Sequence, residues 1–272
     1  MGSTRQALAA ATLSAIGIAA AVAATALGSE ARPSITVRVN DKQITAPRHT
    51  PAGYVDVHIV TTGKVHHHLA FWHLNRGVTA KHFVAVVKRP NGDPFKLATA
   101  VGGNAPMLAG RLDTTMRLLP GTIVLADIVE GPTTRIASFR VVGRPVATRP
   151  PASIGTIANR NYRFVLPHHF GRPGVYRFTN ADTVAHDGVI YRLAAGKTAS
   201  DLVRWLQRGG KGRPPVKFDR PYGGPGAIGG HWTSWFTLPK LAPGHYVLGC
   251  FLTDSHGMLH ATMGMVAGFV VR

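Results

Sequence analysis

The decapeptide LAPGHYVLGC (241–250) reappears as LLPGTIVLAD (118–127), and this repeated strand decides how the chain is divided. A second repeat lies upstream, where VHHHLAFWHLNRGVTAKHFVAVV (65–87) aligns without a gap with VAHDGVIYRLAAGKTASDLVRWL (184–206). The matched positions include Leu74 with Leu193, Gly77 with Gly196, Thr79 with Thr198, and Phe83 with Leu202. Two matched segments in the same order indicate a tandem duplication.

The chain around these repeats consists of short runs that have the composition of β-strands. They are rich in β-branched and aromatic residues and are separated by Gly, Pro and Asn, which predicts antiparallel sandwiches or barrels. Examples are ITVRV, YVDVHIV, YRFVL, VYRFTN, GVIYRL, TSWFTL, HYVLGC and MVAGFVV. We expect an all-β fold of two tandem Greek-key β-sandwich domains, 34–143 and 154–272, each with one short helix. The Pro/Arg-rich segment 144–153 is predicted to be a linker, because it is unsuited to pairing in a sheet.

The helix of the second copy has a clear start signal. Thr198 is a good N-cap, Asp201 stands at the capping-box position, and an apolar stripe of Leu202, Trp205 and Leu206 follows. The next segment, 207–230, is rich in Gly and Pro and is predicted to be a long surface loop that faces a partner.

The N-terminal segment has the pattern of a secretory signal. A polar start is followed by ALAAATLSAIGIAAAVAATALG (7–28), which carries no charge. We therefore expect a signal peptide within 1–31 and an extracytoplasmic protein, secreted or associated with the cell envelope. The alternative is an uncleaved anchor, so membrane association through this segment stays open.

The one cysteine of the chain, Cys250, ends a strand, and the loop that follows it is rich in His and Met. The residues of this loop are His256, Met258, His260, Met263 and Met265. A thiolate, imidazoles and a thioether together suit an ion that cycles between Cu(I) and Cu(II). A second histidine is needed from elsewhere, and His186, which follows the strand VYRFTN, is the candidate. We favour His260 with Met265, and His256 and Met263 are the alternates.

These residues resemble the cupredoxins, the blue or type 1 copper proteins. HDGVIYRLAAGKT, LAPGHYVLGCF and HATMGM are similar to segments of exported bacterial two-domain cupredoxin-like proteins, and the resemblance covers about 150–272 directly and 34–143 only through the repeat. It implies one type 1 copper held by His186, Cys250 and His260, with Met265 as a weak axial ligand. The implied function is one-electron transfer or copper carriage, without enzymatic activity.

The first copy lacks this ligand set. His67 aligns with His186, but Asp127 replaces Cys250, so 34–143 is expected to be a degenerate cupredoxin-like domain without copper ligands. His66 and His68 face the same way in a strand and are a candidate pair for a surface metal, with His58, His73 and His82 nearby in sequence. Hydrogen-bonded histidines on a sheet face are the alternative.

Two other functions compete with a copper carrier. A multicopper oxidase or nitrite reductase needs histidines next to the cysteine, where this chain has Gly249 and Phe251. A metal-free binding module would keep the sandwich with a decayed site. Lys and Arg total 31 against 12 Asp and Glu, a net charge of +19, which favours an acidic redox partner protein or an anionic cell envelope. The basic residues are scattered and form no recognition motif, so nucleic acid is not an expected partner.

Overall fold

In a computed structural model, residues 31–89, 92–128, 135–146 and 148–272 are described. The predicted signal peptide lies almost wholly outside these residues. Within them the protein has sixteen β-strands and two α-helices, and none of these helices is long and apolar enough to cross a membrane. The predicted all-β class is confirmed.

The first half is a sandwich of two sheets. One sheet has the order β7-β4-β1-β2 and the other β3-β9-β8-β5-β6. Strict alternation of buried and half-buried residues along β4 builds the core between them, as expected for a strand with one face on the core. The elements are β1 (Ser34–Val39), β2 (Ile44–Thr45), β3 (His49–Pro51), β4 (Gly53–Thr61), β5 (Leu69–Leu74), α1 (Ala80–Val87), β6 (Ala98–Gly103), β7 (Gly110–Leu118), β8 (Gly121–Asp127) and β9 (Ile136–Val142).

The second half repeats this arrangement. Its sheets are β11-β10-β12-β14 and β13-β15-β16. In both halves the first strand pairs parallel with a later strand, β1 with β4 and β10 with β12, and that strand pairs antiparallel with the next one in the sheet. The elements are β10 (Gly155–Asn159), β11 (Phe164–Val165), β12 (Gly174–Asn180), β13 (Val189–Arg192), α2 (Ala199–Gln207), β14 (Thr233–Leu238), β15 (Gly244–Gly249) and β16 (Val266–Val271).

Each half carries one short α-helix, as predicted. The capping box of α2 is formed, because the side chain of Thr198 accepts the backbone N–H of Asp201 while the Asp201 carboxylate accepts the N–H of Thr198. Leu202 is the fully buried residue of this helix. Its partly buried neighbours Trp205 and Leu206 pack against the same core cluster, so the apolar stripe of the helix faces the core.

The two halves are joined through both of their layers. β7 pairs antiparallel with β14, so that one sheet of eight strands runs through the molecule. In the other layer β6 lies antiparallel to 223–229, with bridges between Val101 and Ile228 and between Asn104 and Pro225.

This contact corrects the prediction for 207–230. Residues 223–229 are buried at the junction rather than exposed in a surface loop. Glycine is needed because the two backbones approach closely, and a Cβ on Gly226 would overlap the carbonyl carbon of Gly103. The glycines therefore indicate close packing here and not an irregular surface segment.

Candidate metal centre

Backbone hydrogen bonds bring three distant segments to one end of the second sandwich. Cys250 follows β15, and its N–H donates to the carbonyl of Met265 at 3.1 Å. His260 opens a short 3-10 helix, His260–Met263, and donates its N–H to the carbonyl of Leu252 at 2.9 Å. His186 exchanges both backbone hydrogen bonds with Ile228, at 3.0 and 2.9 Å. The buried junction segment therefore holds one of the predicted ligands in place.

The side chains of His186, Cys250 and His260 converge on one point. The two Nδ1 atoms lie 3.0 Å apart, and Cys250 Sγ lies 3.3 Å from Nδ1 of His260 and 3.8 Å from Nδ1 of His186. All three residues are buried, and within the described ranges this is the one group of three or more His, Cys, Asp or Glu residues with ligand spacing. Metal–nitrogen bonds of about 2.0 Å and metal–sulfur bonds of about 2.3 Å are compatible with such separations.

The other predicted ligands fall into two groups. Met265 is fully buried and is tied to the cluster by two backbone bonds, from Cys250 N–H to its carbonyl and from its own N–H to the carbonyl of His260, both 3.1 Å. Met263 is 38% exposed, and His256 is exposed on the loop, where its N–H donates to Asp254. The structure thus brings His186, Cys250 and His260 together with Met265 beside them, and it leaves both alternates outside.

The environment keeps the three donor groups uncharged. Burial, followed by the nearby His186, lowers the pKa of His260 to about 4. Burial also lowers the pKa of His186, although Asp182 opposes the shift. Burial, followed by the charge of Asp187, raises the pKa of the Cys250 thiol well above its usual value. At neutral pH both imidazoles therefore offer a lone pair, and the thiol keeps its proton until a cation displaces it.

Two carboxylates that the sequence did not single out surround the cluster. Asp182 accepts a hydrogen bond from Nε2 of His186 at 2.9 Å, which fixes the ring with Nδ1 toward the thiol. Asp187 is buried, accepts the N–H of Phe251 at 3.1 Å, and has a pKa raised to about 6 by burial. Both lie in NADTVAHDG, next to the predicted ligand His186, so proximity to this histidine was the available signal. Partners of this kind orient a metal ligand and set its basicity.

Tyr162 covers both imidazoles. Its ring centroid lies 5.4 Å from that of His186 and 4.9 Å from that of His260, edge-on in both cases. The two histidines are at most 1% exposed, whereas Tyr162 is only half-buried. No sequence motif singled out this residue, which lies in the short connection between β10 and β11.

The first half holds an ionic cluster at the equivalent place. His67 Nδ1 lies 2.8 Å from Asp127 Oδ2, and Arg135 donates to the same oxygen at 3.0 Å. The N–H of Asp127 bonds to the carbonyl of Arg135, as Cys250 bonds to Met265, so Arg135 occupies the position that corresponds to Met265.

The other histidines of the first half do not assemble into a site. His68 is buried rather than on the surface, and neither its Nε2 nor that of His66 has a hydrogen-bond partner in the described structure. His58 instead bonds to Asp113 and Ser34, and His73 contacts the carbonyl of Pro120. Within the described residues, His66 and His68 do not form a group of three ligands with His58, His73 or His82. The prediction of a surface metal there is wrong, because His68, just before β5, is buried with its Nε2 3.9 Å from Asp187 Oδ2 of the second half.

Comparison with known proteins gives remote structural likenesses. No protein-family profile and no curated protein matches the chain. It is similar to the auracyanin of the photosynthetic bacterium Roseiflexus castenholzii, at 20% identity over 43% of this chain and 95% of that one, with a TM-score of 0.29. It is also similar to a multicopper oxidase, at 12% identity over 88% of both chains and a TM-score of 0.23. A Cu-containing nitrite reductase from Thermus scotoductus matches at 12% identity over 90% of this chain and 68% of that one, with a TM-score of 0.22. Since these values are low, the functional conclusion rests on the residues of the chain itself.

Proposed function

We propose that this protein is an extracytoplasmic electron carrier of the cupredoxin class, with one type 1 copper in its second half. His186 Nδ1, His260 Nδ1 and Cys250 Sγ would hold the ion, and the thioether of Met265 would add a weaker donor. Copper would supply the one-electron redox couple. The first half would be a metal-free structural or docking copy.

The observation that carries this proposal is the convergence of one thiol and two imidazoles in a buried place. The three donor atoms lie within 4.8 Å of one another, and Nε2 of His260 is buried without a hydrogen-bond partner. Two imidazole nitrogens and one thiolate form the trigonal ligand set of copper sites that transfer electrons. A thioether adds a weaker ligand in such sites. An ordinary buried cysteine packs as a small apolar group, and it does not require two imidazole nitrogens to face its sulfur.

The closure of the site supports a carrier rather than an enzyme. A substrate that binds at the metal needs an open coordination position and a path to it. Here both imidazoles are buried beneath Tyr162. One-electron transfer needs no such path, because the electron can pass through the covering side chains.

Copper titration followed by absorption spectroscopy tests the proposal. The exported protein, stripped of metal and given Cu(II), should take up one copper per chain and develop an intense band at about 600 nm, from charge transfer between thiolate and Cu(II). Copper bound without that band would contradict a type 1 site. Tight binding of copper in the Cu(I) state alone, with no reversible oxidation, would indicate copper carriage instead of electron transfer.

A further inference from the structure

The connection between β10 and β11 lies against the two imidazoles of the candidate metal centre. His186 and His260 are themselves at most 1% exposed, so an approaching protein cannot touch either imidazole. Tyr162 is half-buried and packs edge-on against both rings. An electron that leaves the imidazoles toward solvent at this place therefore meets the phenol ring first.

The backbone of this connection adopts a conformation that its residues disfavour. Arg160 and Arg163 exchange both backbone hydrogen bonds, and the two residues between them, Asn161 and Tyr162, have φ of +52° and +55°. This is the pattern of a type I′ turn, which favours Asn-Gly, and a bulky residue at its second position is an outlier. Strain of this kind persists where the surroundings enforce it, and it is concentrated at functional sites.

The strain is enforced by the same carboxylate that orients a ligand. Asp182 accepts the N–H of Asn161 at 2.7 Å and that of Tyr162 at 3.1 Å, and it also accepts Nε2 of His186. The corresponding turn of the first half, Asn40–Gln43, has no residue with positive φ and carries Lys42 where Tyr162 stands. The strained turn that holds an aromatic ring over the imidazoles is therefore found in the second half, beside the thiol, and not at Asn40–Gln43 in the first half.

The rim of this surface is basic and partly apolar. Arg160 and Arg163 flank Tyr162 and are exposed. The loop after Cys250, at the same end of the sandwich, exposes Met258 by 51% and Met263 by 38%. Asp254 is the one ionisable carboxylate of that loop, and it is occupied by the backbone N–H groups of His256 and Met258. Cationic groups around an apolar centre are complementary to an acidic protein surface.

We propose that the turn Arg160–Arg163 is the docking surface for an acidic one-electron redox protein, and that Tyr162 is the side chain through which the electron passes. This inference rests on the proposed function. In the productive complex the partner's redox centre loses one electron while Cu(II) is reduced to Cu(I), or the reverse, and no proton or covalent bond is exchanged. Arg160 and Arg163 orient the partner, and Asp182 holds the ring of Tyr162 between the partner and the imidazoles.

Matched charge reversals test the docking surface. Arg160→Glu/Arg163→Glu alters the turn, and Arg172→Glu/Lys240→Glu alters exposed cations that line a cavity of about 730 Å³ at the opposite end of the same sandwich. Both pairs change the net charge by the same amount. The copper-loaded proteins are mixed with a reduced acidic [2Fe–2S] ferredoxin in a stopped-flow instrument at low ionic strength. We expect the turn variant to react about tenfold more slowly than the wild type, and the opposite-end variant to lose about threefold or less.

Binding of the metal-free protein gives a readout that does not need copper. Oxidised ferredoxin should shift the backbone amide resonances of 160–163 and of the loop after Cys250, and Arg160→Glu/Arg163→Glu should abolish these shifts. If the copper band never forms, the proposed function is wrong. The amide shifts still show whether ferredoxin binds at the turn.

Three outcomes would overturn the inference. Equal losses of rate in the two charge-reversed proteins would mean that only net charge steers the encounter. Amide shifts confined to another face would place the partner elsewhere. Flotation with phosphatidylglycerol vesicles that is lost in the turn variant, with an unchanged ferredoxin rate, would assign the turn to a membrane surface.

Discussion

The two halves place different chemistry on one backbone frame. In both, a histidine follows the strand that lies parallel to the first strand, and a residue at the end of the next-to-last strand bonds through its backbone to the start of the last strand. The second half fills these positions with His186, Cys250 and Met265, and the first half with His67, Asp127 and Arg135. A carboxylate thus stands where the thiol would be and a guanidinium where the thioether would be.

The exchange of Cys250 for Asp127 between the halves changes which group neutralises the negative charge of the buried side chain. The Asp127 carboxylate is 1% exposed and is balanced by Arg135 at 3.0 Å, so its partner is supplied by the chain. Among the described residues no cation neighbours the thiol of Cys250 in this way, and burial raises its pKa so that it remains protonated. The first half thus supplies its own cation, Arg135, to the buried carboxylate, whereas the second half presents a protonated thiol and two neutral imidazoles.

In each half one carboxylate lies near Nε2 of the buried histidine, Asp182 near His186 and Asp41 near His67. The two carboxylates come from different segments of the two halves. In the second half Asp182, after the β12 strand, reaches back to the turn between β10 and β11. In the first half Asp41, in the turn between β1 and β2, reaches forward to the N–H groups of Lys64 and Val65. A Cβ on Gly63, which corresponds to Asp182, would overlap the Asp41 carboxylate. Each half therefore keeps one carboxylate at this place, supplied from opposite segments.

The largest expected effect comes from removal of the thiol. Cys250→Ser and Cys250→Ala should abolish the copper absorption band completely, because neither a hydroxyl nor a methyl group replaces a thiolate donor. His67→Ala, at the equivalent histidine of the first half, should leave both the band and the copper stoichiometry unchanged. Retention of the wild-type spectrum in Cys250→Ala would contradict the assignment of the ligands, and a second blue copper in the first half would contradict the contrast between the halves.

Removal of the Asp127 charge in the first half should lower the free energy of unfolding and leave copper binding unchanged. Asp127→Asn leaves Arg135 without its buried counter-charge, and we expect the free energy of unfolding to fall by about 3 kcal/mol. Asp113→Asn, which breaks the more exposed contact with Arg111, should cost less than about 1 kcal/mol. Urea denaturation followed by circular dichroism measures both. Equal effects would mean that the Asp127 cluster adds no more than a surface ion pair.

Copper binding should release a proton. The pKa of the Cys250 thiol is raised and the pKa values of His186 and His260 are lowered, so at pH 7 only the thiol has a proton to lose. Copper affinity should therefore rise by about tenfold per pH unit between roughly pH 6 and 8, since each ion displaces one proton. A weakly buffered indicator dye should record one proton per copper in the wild type and none in Cys250→Ser. A flat affinity profile would mean that the thiol does not become a ligand.

The sequence predicted the second site more fully than the junction. Residue type and spacing identified His186, Cys250 and His260 as candidates, because metal ligands are restricted to a few side chains. The central strand β7 (Gly110–Leu118) was not among the predicted runs, since it contains Arg, Asp and two Thr. Thr114 and Thr115 are buried there because β14 of the other half covers them, and Thr114 donates to the carbonyl of Trp235. Such polar residues become core only through a contact between domains, which composition does not encode.

The smallest expected effect concerns the axial position and separates Met265 from Met263. Met265 is fully buried next to the ligand residues, whereas Met263 is 38% exposed. Met265→Leu should keep the blue band and raise the reduction potential, because loss of a weak thioether donor favours Cu(I) while the thiolate still determines the colour. Met263→Leu is the matched control and should change neither property. Cyclic voltammetry of the two variants measures the difference. A raised potential in Met263→Leu with none in Met265→Leu would transfer the axial role to the exposed methionine, and it would require the loop after Cys250 to rearrange when copper binds.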